Sequence, residues 1–226
     1  MELRAHEATK RFGPLTAVDG VSLTVASGNS VAIHGPNGSG KTTVLRMLAG
    51  LSRPTEGDVY VDETPLYDRE TTVSTPIGYL SHESMMYDDL TARENLQFHA
   101  RLVGVDETRI TDVLETVDLL DRENGFPREF SHGMRKRLSL ARALLADPAV
   151  LLLDEPFTGL DQHSSRTLEA LLEDRTVVLV THDFETSAAL CDRFLVLERG
   201  RLVGEFDGRD RSPEALRSRY REALSS

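Results

Sequence analysis

The residues best able to do chemistry lie in one glycine-rich stretch, residues 35–43. The stretch matches G-x-x-x-x-G-K-[ST], follows an apolar run at residues 31–33 and opens a segment with apolar residues at helical spacing. Glycines let successive backbone N–H groups curl around phosphate oxygens, and the N-terminus of a helix adds partial positive charge. We expect Lys41 to reach the β- and γ-phosphates and the Thr42 hydroxyl to ligate Mg²⁺. The predicted nucleotide-binding residues are Gly35, Pro36, Asn37, Gly38, Ser39, Gly40, Lys41, Thr42 and Thr43.

Two adjacent carboxylates, Asp154 and Glu155, follow a second apolar run at residues 150–153. The run is typical of a buried strand, and ligands of open α/β sheets bind at the carboxyl ends of such strands. Because successive strand residues point to opposite sides, the two carboxylates can have different roles. We expect Asp154 to hold Mg²⁺ through water, and Glu155 to polarise the attacking water as general base. An acidic strand end before a turn is the structural alternative, and the glycine-rich stretch upstream weighs against it.

A third apolar run, residues 177–180, ends at the polar sequence Thr181-His182-Asp183. We expect His182 to hydrogen-bond a γ-phosphate oxygen and so to respond to the presence of that phosphate. A single histidine is more often a structural residue, so this hypothesis depends on the two motifs that precede it.

The composition excludes several classes of protein. The 226 residues are 39% hydrophobic and carry 37 acidic against 26 basic side chains, a formal charge of -11. The acidic excess argues against non-specific binding to nucleic acid, which needs a basic surface, so no nucleic-acid partner is expected. No apolar run approaches the roughly 20 residues of a membrane span, and the polar start lacks a signal peptide. Because the lone Cys191 cannot close an intrachain disulfide, we expect an intracellular chain.

The basic residues are unevenly divided between lysine and arginine. Only three of the 26 basic residues are lysines, namely Lys10, Lys41 and Lys136. A halophile's acidic surface is one interpretation, because a high net charge keeps a protein soluble. GC-rich codon usage in an ordinary acidic protein is the other, and the composition leaves both open.

Strand-like and helix-like patterns alternate at both ends of the chain. Residues 42–51 have the spacing of an amphipathic helix, and residues 91–146 have a helical pattern that begins with a capping box. This alternation predicts an α/β fold in which the two ends share a parallel sheet. We expect a single domain, 1–226, with a nucleotide-binding core lobe (1–83 and 147–226) and a helical subdomain (84–146).

Taken in order, these motifs resemble those of the ATP-binding subunits of ATP-binding-cassette (ABC) transporters. The resemblance covers nearly the whole chain: residues 35–43 match the Walker A loop, and Asp154 and Glu155 close a Walker B strand. The resemblance implies a P-loop NTPase parallel-sheet core with an N-terminal antiparallel β portion and a helical insertion. In the family, the helical insertion carries the signature motif.

The same resemblance implies roles for three further residues. Phe12 matches the aromatic residue that stacks on adenine. Residues 159–161 match the D-loop, so Asp161 is expected to take part in nucleotide binding. His182 matches the switch histidine, which strengthens the role expected for it above.

The family signature Leu-Ser-Gly-Gly-Gln is changed here to Phe130-Ser131-His132-Gly133-Met134. A serine at the head of a helix is a good N-cap and can aim helix N–H groups at an anion. In the family this anion is the γ-phosphate held by the other subunit, so Ser131 and Gly133 are expected to bind ATP across a dimer. The departures His132 and Met134 are expected to alter the strength of that ATP sandwich.

His82 stands where most members of the family have a glutamine that contacts Mg²⁺ and the attacking water. Because imidazole can donate or accept a hydrogen bond, we expect His82 to serve both in catalysis and at the metal. Within the family, the likeness is greatest to the haem-exporter ATP-binding subunit of cytochrome c biogenesis. It rests on the His82 substitution and on residues 51–54, 90–96 and 155–158.

The resemblance implies a Mg²⁺-dependent ATPase that drives transport through a separate membrane-spanning permease subunit. It places the chain in the cytoplasm, peripheral on the inner face of the membrane, as a homodimer or a heterodimer with a second ATP-binding subunit. Met85, Met86 and Tyr87, just after His82, are either core residues or a docking patch for a partner. The alternatives are a soluble ABC-type ATPase of translation or DNA repair, and a nucleotide sensor without catalysis.

Overall fold

A computed structural model describes residues 1–68, 77–82, 84–173, 175–208 and 212–225. The strands are β1 (Leu3–Phe12), β2 (Leu15–Val25), β3 (Ser30–His34), β4 (Glu56–Val61), β5 (Thr64–Pro65), β6 (Ile77–Leu80), β7 (Val150–Asp154), β8 (Thr176–Val180), β9 (Arg193–Glu198) and β10 (Arg201–Asp207). The helices are α1 (Lys41–Leu48), α2 (Ala92–Val103), α3 (Arg109–Thr116), α4 (His132–Leu144), α5 (Gln162–Leu172), α6 (Phe184–Leu190) and α7 (Pro213–Leu224), with 3-10 turns at Leu120–Arg122 and Pro127–Glu129.

Two sheets organise the described residues. The central sheet has the order β10-β9-β3-β8-β7-β6, and all its pairs are parallel except the β10–β9 edge pair. The second sheet, β2-β1-β4-β5, is antiparallel. The predicted α/β fold, with its parallel core and N-terminal antiparallel portion, is therefore confirmed.

The central sheet is covered on both faces, which explains the continuous apolar runs of its strands. In β7, Leu151 and Leu153 pack into one apolar cluster, whereas Val150 and Leu152 pack into the other. The first cluster includes residues of α2 to α5, and the second includes α1 and the antiparallel sheet. The sheet is thus packed between two apolar cores, which fix the positions of residues at the carboxyl ends of its strands.

Between β6 and β7 the chain is helical. Thr91 caps α2, and Thr91 and Glu94 form the predicted capping box. Ser131 caps α4 by accepting a hydrogen bond from the Met134 N–H at 3.2 Å. These helices pack on one another through buried apolar residues such as Leu114 and Leu138. The division into core lobe and helical subdomain stays a prediction, and its boundary residue 83 lies outside the described residues.

One helix boundary differs from that expected, and one is set by a capping carboxylate. Helix α1 ends at Leu48, three residues before the predicted end, because Gly50 adopts a left-handed φ of 76° and the chain turns. Helix α5 begins at Gln162 because the Asp161 carboxylate accepts a hydrogen bond from the Ser164 N–H at 2.8 Å. Within the described ranges, no helix combines the length and the apolar character needed to cross a membrane.

Candidate functional site

The carboxyl ends of β3, β7 and β8 face an open cleft of about 1090 Å³. Open α/β sheets bind their ligands at this edge. The antiparallel hairpin of β1 and β2 forms another wall. The predicted site residues that line the cleft are Phe12, Asn37, Gly38, Ser39, Gly40, Lys41, Thr42, Thr43, His82, Asp154, Glu155 and His182.

The glycine-rich loop joins β3 to α1 and lies directly against the hairpin. Gly40 has a φ of 103°, and a Cβ at this position would lie 2.4 Å from the carbonyl oxygen of Ala17. The loop is also fixed by the N–H of Gly200, which donates to the Ser39 carbonyl at 2.9 Å. A side chain at position 40 would therefore push the loop away from β2 and change the conformation of the loop.

Lys41 places a buried cation on this loop. Its Nζ donates to the carbonyl oxygens of Gly35 at 2.8 Å and Pro36 at 3.0 Å. Burial lowers the pKa of Lys41, and the charges of Glu155 and Asp154 oppose that shift. The first turn of α1 contains no acidic residue, so its free N–H groups and the ammonium together favour an anion.

Thr42 and Asp154 bring two oxygen ligands together. The Thr42 Oγ1 donates to the Asp154 Oδ2 at 2.7 Å, and Asp154 is only 3% exposed at the end of β7. Mg²⁺ prefers such oxygens and usually takes only one or two carboxylates, with water and substrate phosphates as the other ligands. The Thr42 and Asp154 oxygens therefore fit a cation that is shared with a phosphate ligand. Among the described residues, no group of three or more His, Cys, Asp or Glu could hold a metal. His82 is exposed on the wall of the same cleft.

Glu155 is held in an unusual backbone conformation. Its φ is 50°, a left-handed value that costs a non-glycine residue energy, and its N–H donates to the Val180 carbonyl at 2.8 Å. The Oε2 atom accepts from the hydroxyls of Thr181 at 3.4 Å and Thr158 at 3.5 Å. The strained turn therefore aims a carboxylate that is 15% exposed at the cleft.

The other oxygen of Glu155 has a different environment. Its Oε1 is buried, and no described group hydrogen-bonds it, although the His182 Nε2 lies 3.4 Å away. Burial raises the pKa of Glu155, Asp154 raises it further, and His182 and Lys41 oppose the increase. A carboxylate with a raised pKa and an unpaired oxygen is suited to accept a proton.

Phe12 stands at the tip of the hairpin, where it pairs with Leu15. Both side chains are exposed, by 52% and 63% respectively, although both line the cleft. The Lys10 Nζ lies 5.2 Å from the centre of the Phe12 ring. An exposed aromatic face at the cleft wall is available to stack on a flat ring.

Ser131, Gly133 and Asp161 do not line the cleft. The signature segment lies beside the D-loop, because a Cβ on Gly133 would be 3.0 Å from the Gly159 carbonyl oxygen. The His132 ring occupies the space beside Gly159, where an added Cβ would be 2.4 Å from Nδ1. The changed signature and the D-loop thus form one surface, separate from the cleft of the same chain.

Several residues near the carboxylates have no role predicted from the sequence. Thr158 and Thr181 contact Glu155, but only the left-handed turn brings them together. Lys136 is 6% exposed, and its Nζ lies 3.5 Å from the Asp154 carbonyl oxygen. Arg46 also lines the cleft, and its place one helical turn after Thr42 could have indicated this.

His34, the last residue of β3, is buried beneath the glycine-rich loop. Burial, with smaller contributions from the nearby His182 and Lys41, lowers the pKa of His34 from 6.5 to about 4, although Asp183 and a hydrogen bond to the Thr181 backbone oppose the shift. Because the unfolded chain binds a proton at higher pH than the folded chain, this residue makes stability fall as the pH decreases from about 6.5 to 4.

We expect His34→Leu to remove this part of the acid sensitivity. Between pH 7 and pH 4, the wild-type free energy of unfolding should fall by about 3 kcal/mol more than that of the variant. Urea unfolding at several pH values would measure the difference. Parallel curves for the two proteins would show that His34 does not carry this linkage.

A family model described as ABC transporter matches residues 18–158. The Nod factor export ATP-binding protein I of Rhizobium sp. (strain N33) is 39% identical over 216 residues, which are 92% of this chain and 69% of that protein. The sulfate/thiosulfate import ATP-binding protein CysA 2 of Rhizobium meliloti (strain 1021) is 35% identical and is aligned over 89% of this chain. The chain spans 59% of the length of that second relative.

Solved structures that resemble this chain come from the same family as these relatives. An ATP-binding subunit of an ABC transporter superposes with a TM-score of 0.85 at 26% identity, covering 100% of this chain and 98% of that one. An ATP-binding cassette solved as a dimer in a post-hydrolysis state, with ADP and Pi, gives a TM-score of 0.81 at 29% identity, covering 92% of this chain and 99% of that one.

Proposed function

This chain belongs to the ABC transporter family and is an ATPase, and on that premise we propose that it is the motor subunit of a transporter whose membrane-spanning permease is a separate chain. The observation that carries the proposal is the meeting of Lys41, Asp154, Glu155 and His182 at one cleft. Such a cleft combines phosphate binding with a carboxylate base.

In this proposal the cleft binds ATP through its two walls. Phe12 stacks on adenine, and the loop from Gly35 to Thr43 surrounds the phosphates, with Lys41 on the β- and γ-phosphates. Thr42 and Asp154 would hold Mg²⁺, with His82 beside them. When bound, the cation supplies positive charge that neutralises phosphate oxygens.

Hydrolysis is proposed to depend on Glu155 and His182. Glu155 accepts a proton from the attacking water at its unpaired Oε1, while the hydroxyls of Thr158 and Thr181 hold Oε2. His182, whose Nε2 is 3.4 Å from Oε1, donates a hydrogen bond to the γ-phosphate. Loss of that phosphate changes what His182 contacts, which is the basis for a switch.

The position of Ser131, Gly133 and Asp161 outside the cleft supports a head-to-tail dimer. These residues do not line the cleft of their own chain, whereas a second ATP-binding subunit, identical or paralogous, would bring them to the phosphates. Ser131 already heads α4, whose N-terminus favours an anion. The similar ATP-binding cassette solved with ADP and Pi is itself a dimer, which supports the formation of a dimer by this chain.

Ser131→Arg should abolish ATP-dependent dimer formation while leaving ATP binding to the monomer unchanged. The added side chain fills the space proposed for the partner's phosphate, and Ser131 does not line the cleft of its own chain. Light scattering with and without ATP would measure dimer formation, and the matched control is Ser218→Arg on the exposed face of α7. A Ser131→Arg protein that still dimerises with ATP would contradict the sandwich.

We further propose a docking patch for the permease on the helical segment. The patch consists of Met85, Tyr87, Phe98, Leu102 and Val103, which are exposed by 42–67%. The Tyr87 and Phe98 rings stack edge to face at 5.2 Å. Contact here would hold the chain in the cytoplasm against the inner face of the membrane.

The patch is linked to the helix that begins at Ser131. Arg142, near the end of α4, donates to the Met85 carbonyl at 3.1 Å. Movement of α4 on ATP binding would therefore reach the patch directly. This link supports the conversion of an ATP-driven movement into a change in the permease.

The cargo proposed from the short sequence matches is haem. The relatives named above carry other cargoes in their names, Nod factor and sulfate or thiosulfate. In this proposal the cleft binds the nucleotide, and cargo selection belongs to the permease. Identification of that partner is therefore the most direct route to the substrate.

The experiment is an affinity purification from native membranes with the Glu155→Gln protein and ATP. We expect a polytopic membrane protein to co-purify, and its identity would test the haem proposal. The control is Lys41→Ala, which should capture less of it. Ribosomal or DNA-repair partners without a membrane chain would overturn the transport proposal, and absence of phosphate release by the wild type would favour the sensor.

A further inference from the structure

A buried histidine lies between the two loops that face the proposed phosphate site. His34 ends β3, where Val31, Ala32 and Ile33 are apolar and buried, and it directly precedes Gly35. It is 3% exposed. A polar ring in such a strand needs partners for its nitrogens, because an unpaired buried polar atom is costly.

The partners of His34 come from both sides of His182. Its Nε2 lies 3.1 Å from the Ser187 Oγ, and the ring also hydrogen-bonds the backbone of Thr181. The Phe184 ring stacks on the imidazole at 4.6 Å with an interplanar angle of 3°. One side chain therefore contacts the residue before His182 and the helix after it.

The ring is held as a neutral group by its surroundings. Its lowered pKa leaves one nitrogen as a donor and the other as an acceptor near neutral pH. The Tyr220 ring of α7 packs edge-on against both His34, at 6.4 Å, and Phe184, at 5.5 Å. The imidazole thus has a fixed orientation, as expected of a side chain that holds two segments at a fixed distance from each other.

One of the two loops joined by His34 leads to the proposed phosphate-binding lysine, and the other leads to the proposed catalytic groups. On one side, the Gly35 carbonyl oxygen accepts a hydrogen bond from the Lys41 Nζ at 2.8 Å. On the other side, Thr181 contacts the Glu155 Oε2 at 3.4 Å, and His182 lies 3.4 Å from Oε1. A shift of the segment from residue 181 to residue 187, which includes the start of α6, would therefore move two groups that face the cleft.

We propose that His34 is a positioning residue for ATP hydrolysis, which fixes the His182 loop relative to the glycine-rich loop. The inference rests on the proposed function of Glu155 and His182. A displacement of about 1 Å at a reacting group can reduce a rate by about 100-fold. Phosphate binding depends on the glycine-rich loop and Lys41, which His34 does not contact through a hydrogen bond, so the affinity for ATP should be kept.

The test is steady-state ATP hydrolysis by the full chain with His34→Leu. We expect kcat to fall by about 10- to 100-fold while KM for ATP changes by less than about twofold. His34→Gln, which can restore a hydrogen bond to Ser187, should recover part of kcat. The matched control is His99→Leu, a half-buried histidine on α2 outside the cleft, which should keep the wild-type kcat.

A second variant tests the same proposal if the His34→Leu protein does not fold. Ser187→Ala removes the partner of Nε2 without touching the cleft, and it should lower kcat in the same direction at a temperature below its melting point. An unchanged kcat in His34→Leu, or in Ser187→Ala where His34→Leu does not fold, would overturn the positioning role. A rise in KM for ATP with an unchanged kcat would also overturn the positioning role. A wild type that binds ATP but releases no phosphate would instead refute the proposed function.

Discussion

Glu155→Gln should reduce ATP turnover by about 10²- to 10⁴-fold while ATP binding stays nearly unchanged. The amide has almost the same shape as the carboxylate, and its carbonyl oxygen can still accept from Thr158 and Thr181. It cannot accept a proton from water at neutral pH. The change therefore removes the proposed base and leaves the phosphate-binding loop intact.

Phosphate release and equilibrium binding of ATP would measure the two effects separately. A matched control is Glu173→Gln, an exposed carboxylate at the end of α5 that does not line the cleft. We expect the Glu155→Gln protein to accumulate as an ATP-bound dimer, because the γ-phosphate that bridges the subunits persists. Normal turnover in this variant would show that another group is the base.

Lys41→Ala should weaken ATP binding by about 10- to 100-fold. A hydrogen bond to a charged group contributes about 1.5–3 kcal/mol, and each 1.4 kcal/mol changes a binding constant tenfold. The Lys41 ammonium is already fixed on the loop by the carbonyl oxygens of Gly35 and Pro36. Its loss removes the buried cation of the glycine-rich loop.

Titration with ATP would measure the affinity of this variant. The control is Arg101→Ala, which removes one positive charge from an exposed site on α2 and so makes the same change in net charge. Unchanged affinity in Lys41→Ala would refute the phosphate site. Equal losses in both variants would show that net charge, rather than the loop, governs binding.

The two variants separate binding from chemistry. Lys41→Ala should raise KM or prevent saturation, whereas Glu155→Gln should lower kcat alone. Because both residues line one cleft, a lowered kcat with intact binding would connect the carboxylate to the reaction. The soluble-ATPase alternative shares these outcomes, and only the membrane partner distinguishes it.

Features set by residues close in sequence were predictable. The capping box at Thr91 and the cap at Ser131 are confirmed, because each hydrogen bond spans only three residues. The apolar run at 150–153 is a fully buried strand, as predicted. The roles assigned to the site residues stay predictions, although most of these residues lie on one cleft.

Contacts between distant parts of the chain were decided only by the tertiary structure. Thr42 and Asp154 are 112 residues apart, and His34 and Ser187 are 153 apart. Both contacts depend on the strand order β9-β3-β8-β7. Apolar periodicity predicts that strands exist, but it does not state which strands are neighbours.

The sequence by itself determined the chemical groups available to this protein, namely a glycine-rich loop with a lysine and two carboxylates after an apolar run. It also determined the family to which the chain belongs. The tertiary structure decided how those groups face one another. It bent the chain at Glu155 so that one oxygen is left unpaired, and it placed Ser131 outside the cleft. The physical reason is that residue types and local hydrogen bonds are properties of short segments, whereas burial and orientation arise only when two cores close over one sheet.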